Sequence, residues 1–194
     1  MSDELDTRGR RTLEVANEIA GLIEHVGARH ALIGAAALAV HGYPRATRDL
    51  DLATEQDPAT QLRALETACT ERGWEVELSL PDAHDPLGGV LTVIGTDFDP
   101  IQVVNFYNPF TNAKTPATEG IARAEPLEGT RLRVVQIPHL IALKLYAGGP
   151  KNHADVVALL EANPDADLRE IRVVCAEYGL DGTFETLVGQ PRGL

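Results

Sequence analysis

Two carboxylates stand one residue apart in "GYPRATRDLDLATE", residues 42–55: Asp49 and Asp51, each followed by Leu. Alternate side chains of a strand share a face, so this spacing sets Asp49 and Asp51 side by side and turns Leu50 and Leu52 toward a core. Adjacent carboxylates repel, and burying them without partners is costly. The pair therefore needs either arginines, with Arg45 and Arg48 at hand, or a hard divalent cation such as Mg2+ or Mn2+. Such an ion takes carboxylate oxygens and fills its other positions with water and substrate phosphates. A bare Asp-x-Asp is common, and its weight here comes from the segment upstream. The strand "HALIG" ends at Gly34, the small residues Ala35, Ala36 and Ala37 open a helix, and Asp49 follows fifteen residues after Gly34. Glycine lets a phosphate approach the backbone, and a helix N-terminus presents unpaired N–H groups. Gly34 and Ala35 are thus expected to cradle a triphosphate whose metal ions sit on Asp49 and Asp51.

The surrounding pattern is expected to position these groups. Leu13, Ala16, Ile19, Ala20, Ile23 and Val26 recur at helical spacing over residues 9–27, with Gly27 as the stop. Beyond the aspartate strand at 49–53, a helix is predicted from Pro58 to Arg72 and a half-buried strand at "WEVEL", 74–78. The segments 88–95 and 101–106 flank the turn "TDFDP" as a hairpin. A loop rich in Thr, Pro and Ala leads to "RLRVVQI", and three helical segments follow from Pro138. The reading is an α+β chain: a mixed-sheet unit with an N-terminal helix over residues 1–137, then a helical region over 138–194.

Bulk properties narrow the classes. With 194 residues and 44% hydrophobic content the chain can build a core. Its net charge of −12 argues against a broad basic face that coats nucleic acid. No apolar run is long enough to cross a bilayer, and acids and arginines occupy the start of the chain where a signal peptide would be apolar, so a cytosolic protein is expected. Cys69 and Cys175 have neither metal-ligand spacing nor the numbers for a disulfide framework.

"LIGAAALAVHGYPRATRDLDLA" resembles the signature of the nucleotidyltransferase superfamily, whose members share a polymerase-beta-like core. The branch it is most similar to is the AbiEii-type group, tied to toxin–antitoxin and phage-defence systems. There a "G-G-T-A-L" stretch precedes "h-G-x-R-x-S-x-D-h-D", matched here by Gly34 to Leu38 and by His41, Gly42, Arg45, Thr47, Asp49 and Asp51. "IPHLIALKLYAGGPKNHADVVALL" is similar to a helical segment of that branch, with Lys144, Lys151 and Asp155 at its polar positions. The resemblance implies transfer of a nucleoside monophosphate from an NTP to a hydroxyl of RNA, protein or a small molecule, by two-metal in-line displacement. It further implies that Thr47 and Arg48 border the nucleotide site, that Arg45 offsets leaving-group charge and that Lys144 reaches the triphosphate. A cognate toxin–antitoxin partner is part of the same implication.

Two departures bear on activity. Ala35 stands where the family has Ser or Gly, and Gln102 stands at the family's third carboxylate. Gln orients a group but accepts no proton, and loss of a general base costs about 10²–10⁴-fold in rate. Asp97 or Asp99 in the neighbouring turn could substitute, or "TDFDP" could be ordinary turn chemistry. A nucleotide-binding relative without transfer activity, and a plain interaction domain in which Asp49, Asp51 and Arg45 form an ion network, are the alternatives.

Overall fold

A computed structural model describes residues 2–111 and 114–189 of the chain. Helix α1 (Ser2–His25) comes first. Val15, Ala16, Ile19, Ala20 and Ile23 form a fully buried stripe along it, the spacing of one helical face. It starts earlier than its apolar pattern indicates and ends just short of Gly27, which takes a positive φ. Strand β1 (His30–Leu32), helix α2 (Gly34–Val40), strand β2 (Leu50–Thr54) and helix α3 (Pro58–Thr70) follow. Strands β3 (Glu75–Ser79), β4 (Val90–Ile94) and β5 (Ile101–Asn105) form the predicted hairpin and its neighbour. Helix α4 (Ala117–Ala122) and the short strand β6 (Glu125–Pro126) occupy the stretch expected to be loop, and the short strand β7 (Arg133–Val134) lies in the "RLRVVQI" segment after it.

The seven strands make one mixed sheet in the order β3-β4-β5-β2-β1-β7-β6. Strands β2 and β5 run parallel, as do β1 and β7, while the other neighbouring pairs are antiparallel. One face of this sheet is the core wall: Leu50, Leu52, Leu91, Val93, Ile101 and Val103 are buried on it. The core also takes in Phe98, whose ring meets that of Trp74 edge-on at 6.2 Å. Along β2 and β5 the opposite face alternates in, so Asp51 and Gln102 emerge together on it.

Four helices complete the described chain: α5 (Ile137–Ala147), α6 (Gly149–Ala162), α7 (Leu168–Glu177) and α8 (Asp181–Val188). Helix α8 lies in the expected helical region, beyond its three expected helical segments, and residues 190–194 of that region fall outside the described residues. Helix α5 is buried from His139 to Leu145 on every side, which explains why its sequence is apolar all round rather than amphipathic. It packs on α6 and α7 and meets α2, so the tail is in contact with the glycine helix. No helix among the described residues is long and apolar enough to cross a membrane.

Candidate active site

The site is assembled where β1 turns into α2. Gly34 has φ +62°, a backbone conformation that L side chains rarely adopt. Its hydrogen faces the Asp51 carboxylate so closely that a Cβ built on Gly34 would lie 2.0 Å from Asp51 Oδ2. The Asp51 carbonyl accepts the Ile33 N–H at 3.1 Å, which locks the turn to the strand. No side chain caps α2, so its first-turn amides at Gly34 and Ala35 have no side-chain acceptor. The sequence expectation that the aspartates look toward the glycine turn is met at Asp51. Asp49 falls one residue before β2, and the Thr47 hydroxyl donates to its Oδ1 at 2.6 Å.

Electrostatics set Asp51 apart. Its carboxyl is pushed up to about 6, first by burial and second by the neighbouring Asp49 charge, while Lys144, Arg45 and Lys151 pull it down. Arg45 is a near neighbour of Asp51 in the chain, whereas Lys144 and Lys151 come from the C-terminal helices, and all three charges act on Asp51. Lys144 and Arg45 are held there by Asp155, which is 2% exposed. Lys144 Nζ donates to Asp155 Oδ2 at 2.8 Å, and Arg45 Nε lies 3.0 Å from Asp155 Oδ1 as an ion pair without hydrogen-bond alignment. Asp155 thus uses one oxygen for each cation.

Several expectations are corrected by this geometry. Arg45 pairs with Asp155 rather than with Asp49 or Asp51, and exposed Arg48 makes no ion pair or hydrogen bond among the described residues. The arginines therefore do not tie up the aspartate pair, because Asp155 is the nearer and better-buried partner. Lys144 is 7% exposed, inside its buried ion pair with Asp155. Asp97 and Asp99 do not reach the site: Asp99 Oδ1 accepts from Arg8 Nε at 2.6 Å and Asp97 Oδ2 from Arg11 Nε at 3.2 Å, both on α1. Cys69 and Cys175 are buried, and burial raises both thiols to about 11, which leaves them unreactive.

Gln102 lies directly beside Asp51 in the parallel register of β2 and β5, and Thr92 lies beside Gln102 across β4. Asp51, Gln102 and Thr92 therefore form one row across three strands on the open face. Thr92 is a site-floor residue that sequence reasoning missed. The signal was present in "VLTVI", where Thr sits at the outward position of the hairpin, but using it required the hairpin register. Asp155 was legible only as a polar position, since its partner Arg45 is 110 residues away.

A cavity of about 380 Å³ adjoins the site, bounded by Gly34 and Lys144 at one end and by Leu87, Val104, Phe106 and Leu143 along its walls. A second depression, of about 360 Å³, lies between His41, Gln136 and α7 and carries Glu125, Asp167 and Glu170 without Lys or Arg, which makes it repellent to phosphate. Asn108 pins the rim of the first cavity, its amide donating to the carbonyls of Asp82, Asp85 and Leu87.

No family model matches the chain, and no curated protein matches it. Solved structures do. The solution structure of the antibiotic-resistance factor ANT(2'')-Ia superposes with a TM-score of 0.52 at 13% identity, over 93% of this chain and 96% of that one. The crystal structure of ANT(2")-Ia in complex with adenylyl-2"-tobramycin gives 0.53 at 14% identity, over 86% and 95%. A nucleotidyltransferase-like protein from Paracoccidioides brasiliensis gives 0.47 at 14%, over 93% of each chain. The fold is the α+β nucleotidyltransferase fold: a polymerase-beta-like core with a mixed sheet, followed by a helical C-terminal region.

Proposed function

We propose that the chain is a metal-dependent nucleotidyltransferase that moves a nucleoside monophosphate from an NTP to an acceptor oxygen. The observation that carries this reading is the Asp51 carboxylate seated against Gly34, raised to about 6 beside Asp49 and faced by three cations. A buried carboxylate that resists ionisation beside a second acid is the donor set that a hard cation relieves, and Asp51 with its neighbour Asp49 would hold Mg2+ or Mn2+. Bound there, the ion supplies Lewis-acid polarisation of the phosphate under attack and charge neutralisation. The residues of the chain do the rest. The amides of Gly34 and Ala35 hold phosphate oxygens, as backbone at a helix start can. Thr47 orients Asp49 through its 2.6 Å hydrogen bond. Lys144 and Arg45, fixed by Asp155, face the charge of departing pyrophosphate, and exposed Arg48 and Lys151 border the entrance. Gln102 positions the acceptor.

Within this fold we favour kinship with the AbiEii-type branch and a toxin–antitoxin or defence setting in the cytosol, with residues 1–137 as catalytic core and 138–194 as helical partner. The contact of Asp155 with Arg45 supports it, because it joins the two sequence stretches that carry the resemblance. A second reading is a nucleotide-binding relative without transfer, favoured by Gln102 and Ala35 at positions where the resemblance expects a carboxylate and a hydroxyl or glycine.

The test has two stages. Mn2+ with an NTP is expected to raise the melting temperature, since a ligand that binds only the folded state stabilises it. α-Labelled NTPs incubated with cell extract are then expected to transfer label, and Asp49→Asn to abolish it. Stabilisation without any transferred label would establish the second reading, and no stabilisation with any of the four nucleotides would end both.

A further inference from the structure

Gln102 stands where the resemblance expects a carboxylate. Gln102 and Thr92 offer an amide and a hydroxyl where a carboxylate would take a proton, and neither side chain has a hydrogen-bond partner among the described residues. Both are half-buried on the open face in line with Asp51. Asp51 and Asp49, the carboxylates nearest this floor, are assigned to the metal in the proposed function. Asp97 and Asp99 are held by α1, and Asp155 is shared between Arg45 and Lys144. The next carboxylate in the row is Glu77, opposite Thr92 on β3, which places it three strand spacings or about 14 Å from Asp51. An amide N–H and a hydroxyl O–H are donors suited to an oxyanion. The charge balance agrees: Arg45, Arg48, Lys144 and Lys151 outnumber Asp49, Asp51 and Asp155, in a chain that is otherwise strongly acidic. Arg48 and Lys151 are exposed and form no ion pair among the described residues, so they can meet a second anion besides the proposed triphosphate.

We propose that the acceptor is a phosphate-terminated molecule, taken by the Gln102–Thr92 floor beside Asp51. The inference rests on the nucleotidyltransferase reading and narrows it, since the resemblance implied a hydroxyl acceptor. A non-bridging oxygen of the acceptor phosphate, already ionised near neutral pH, forms a bond to the α-phosphorus of the NTP. The bond from that phosphorus to the α,β-bridging oxygen breaks, and its electron pair leaves with pyrophosphate. No proton leaves the acceptor, and the product carries a new pyrophosphate link to the nucleoside monophosphate.

Phenyl phosphate and benzyl alcohol serve as matched probes. The full chain is first loaded with Mn2+ and an α,β-methylene NTP analogue, whose binding is read as a rise in melting temperature, and each probe is then titrated calorimetrically. Phenyl phosphate is expected to bind at least roughly tenfold more tightly than benzyl alcohol, a difference that Gln102→Glu removes by placing a like charge on the floor. With α-labelled NTP, wild type is expected to label phenyl phosphate and not the alcohol, and Gln102→Glu to shift labelling toward the alcohol. If the analogue leaves the melting temperature unchanged, the site reading and the inference fall together. If the analogue binds but the alcohol is bound or labelled as well as the phosphate, or Gln102→Glu leaves phenyl phosphate binding untouched, the inference alone is overturned.

Discussion

Replacing Asp51 by Asn is expected to stabilise the metal-free protein, although it removes a proposed metal ligand. The folded-state carboxyl is raised from 3.8 to about 6 by burial and by Asp49. A raised carboxyl binds its proton more tightly in the folded chain than in the unfolded one, so the charged form opposes folding. Its contribution is fully favourable below about 4 and is lost as pH climbs through about 6. At 1.36 kcal/mol per pKa step the cost at pH 7.5 approaches about 3 kcal/mol, and solvent screening of this half-buried group brings the expected gain to roughly 1–2 kcal/mol. For a chain of this size that is a rise of roughly 2–8 °C in melting temperature. The assay is a set of thermal melts of wild type and Asp51→Asn in chelator, from pH 4 to pH 8. The gap should open between about pH 4 and pH 7 and then stay constant. Adding Mn2+ should close it by stabilising wild type alone. No gain at pH 7.5, or an equal gain at pH 4, would refute the account of why this carboxylate is strained and of what a cation does for it.

Other changes probe the supporting structure. Asp155→Ala strips the partner from two cations, one of them deeply buried, and should cost about 3–5 kcal/mol in urea denaturation while also weakening NTP binding. Gly34→Ala meets both a positive φ and the Asp51 carboxylate; a loss of about 1–2 kcal/mol from the backbone and abolition of Mn2+-dependent stabilisation are expected in melts. Asp99→Asn loosens a solvent-exposed pair with Arg8, so a stability loss below about 1 kcal/mol and unchanged NTP binding by calorimetry are expected.

What the sequence could reveal followed from local rules. Asp49, Asp51, Leu50 and Leu52 were readable because strand alternation fixes faces without knowledge of neighbours, and Gly34 because a glycine between a strand and an alanine-rich helix has few other uses. Gln102 was visible only through the resemblance, as the residue standing at the family's third carboxylate. The hold of Asp155 on Arg45 was not, since nothing local ties residue 155 to residue 45. Helix α4 was lost in a Thr- and Pro-rich stretch whose six helical residues are too few for a periodic signal, and it forms against β1, β2 and α5 instead. The fate of Asp97 and Asp99 depended on where α1 starts. Arg8 precedes the apolar stretch from which that helix was read, so its reach to the hairpin turn had no signature.

The two-handed grip of Asp155 has an evolutionary corollary. A polymerase-like core can in principle trade one tail for another by recombination. Here the acid that steadies the arginine of the core is encoded more than a hundred residues downstream. A replacement tail would have to bring an equivalent acid at the same depth, or leave an orphaned guanidinium beside the aspartate pair. Core and tail are thereby bound to be inherited together.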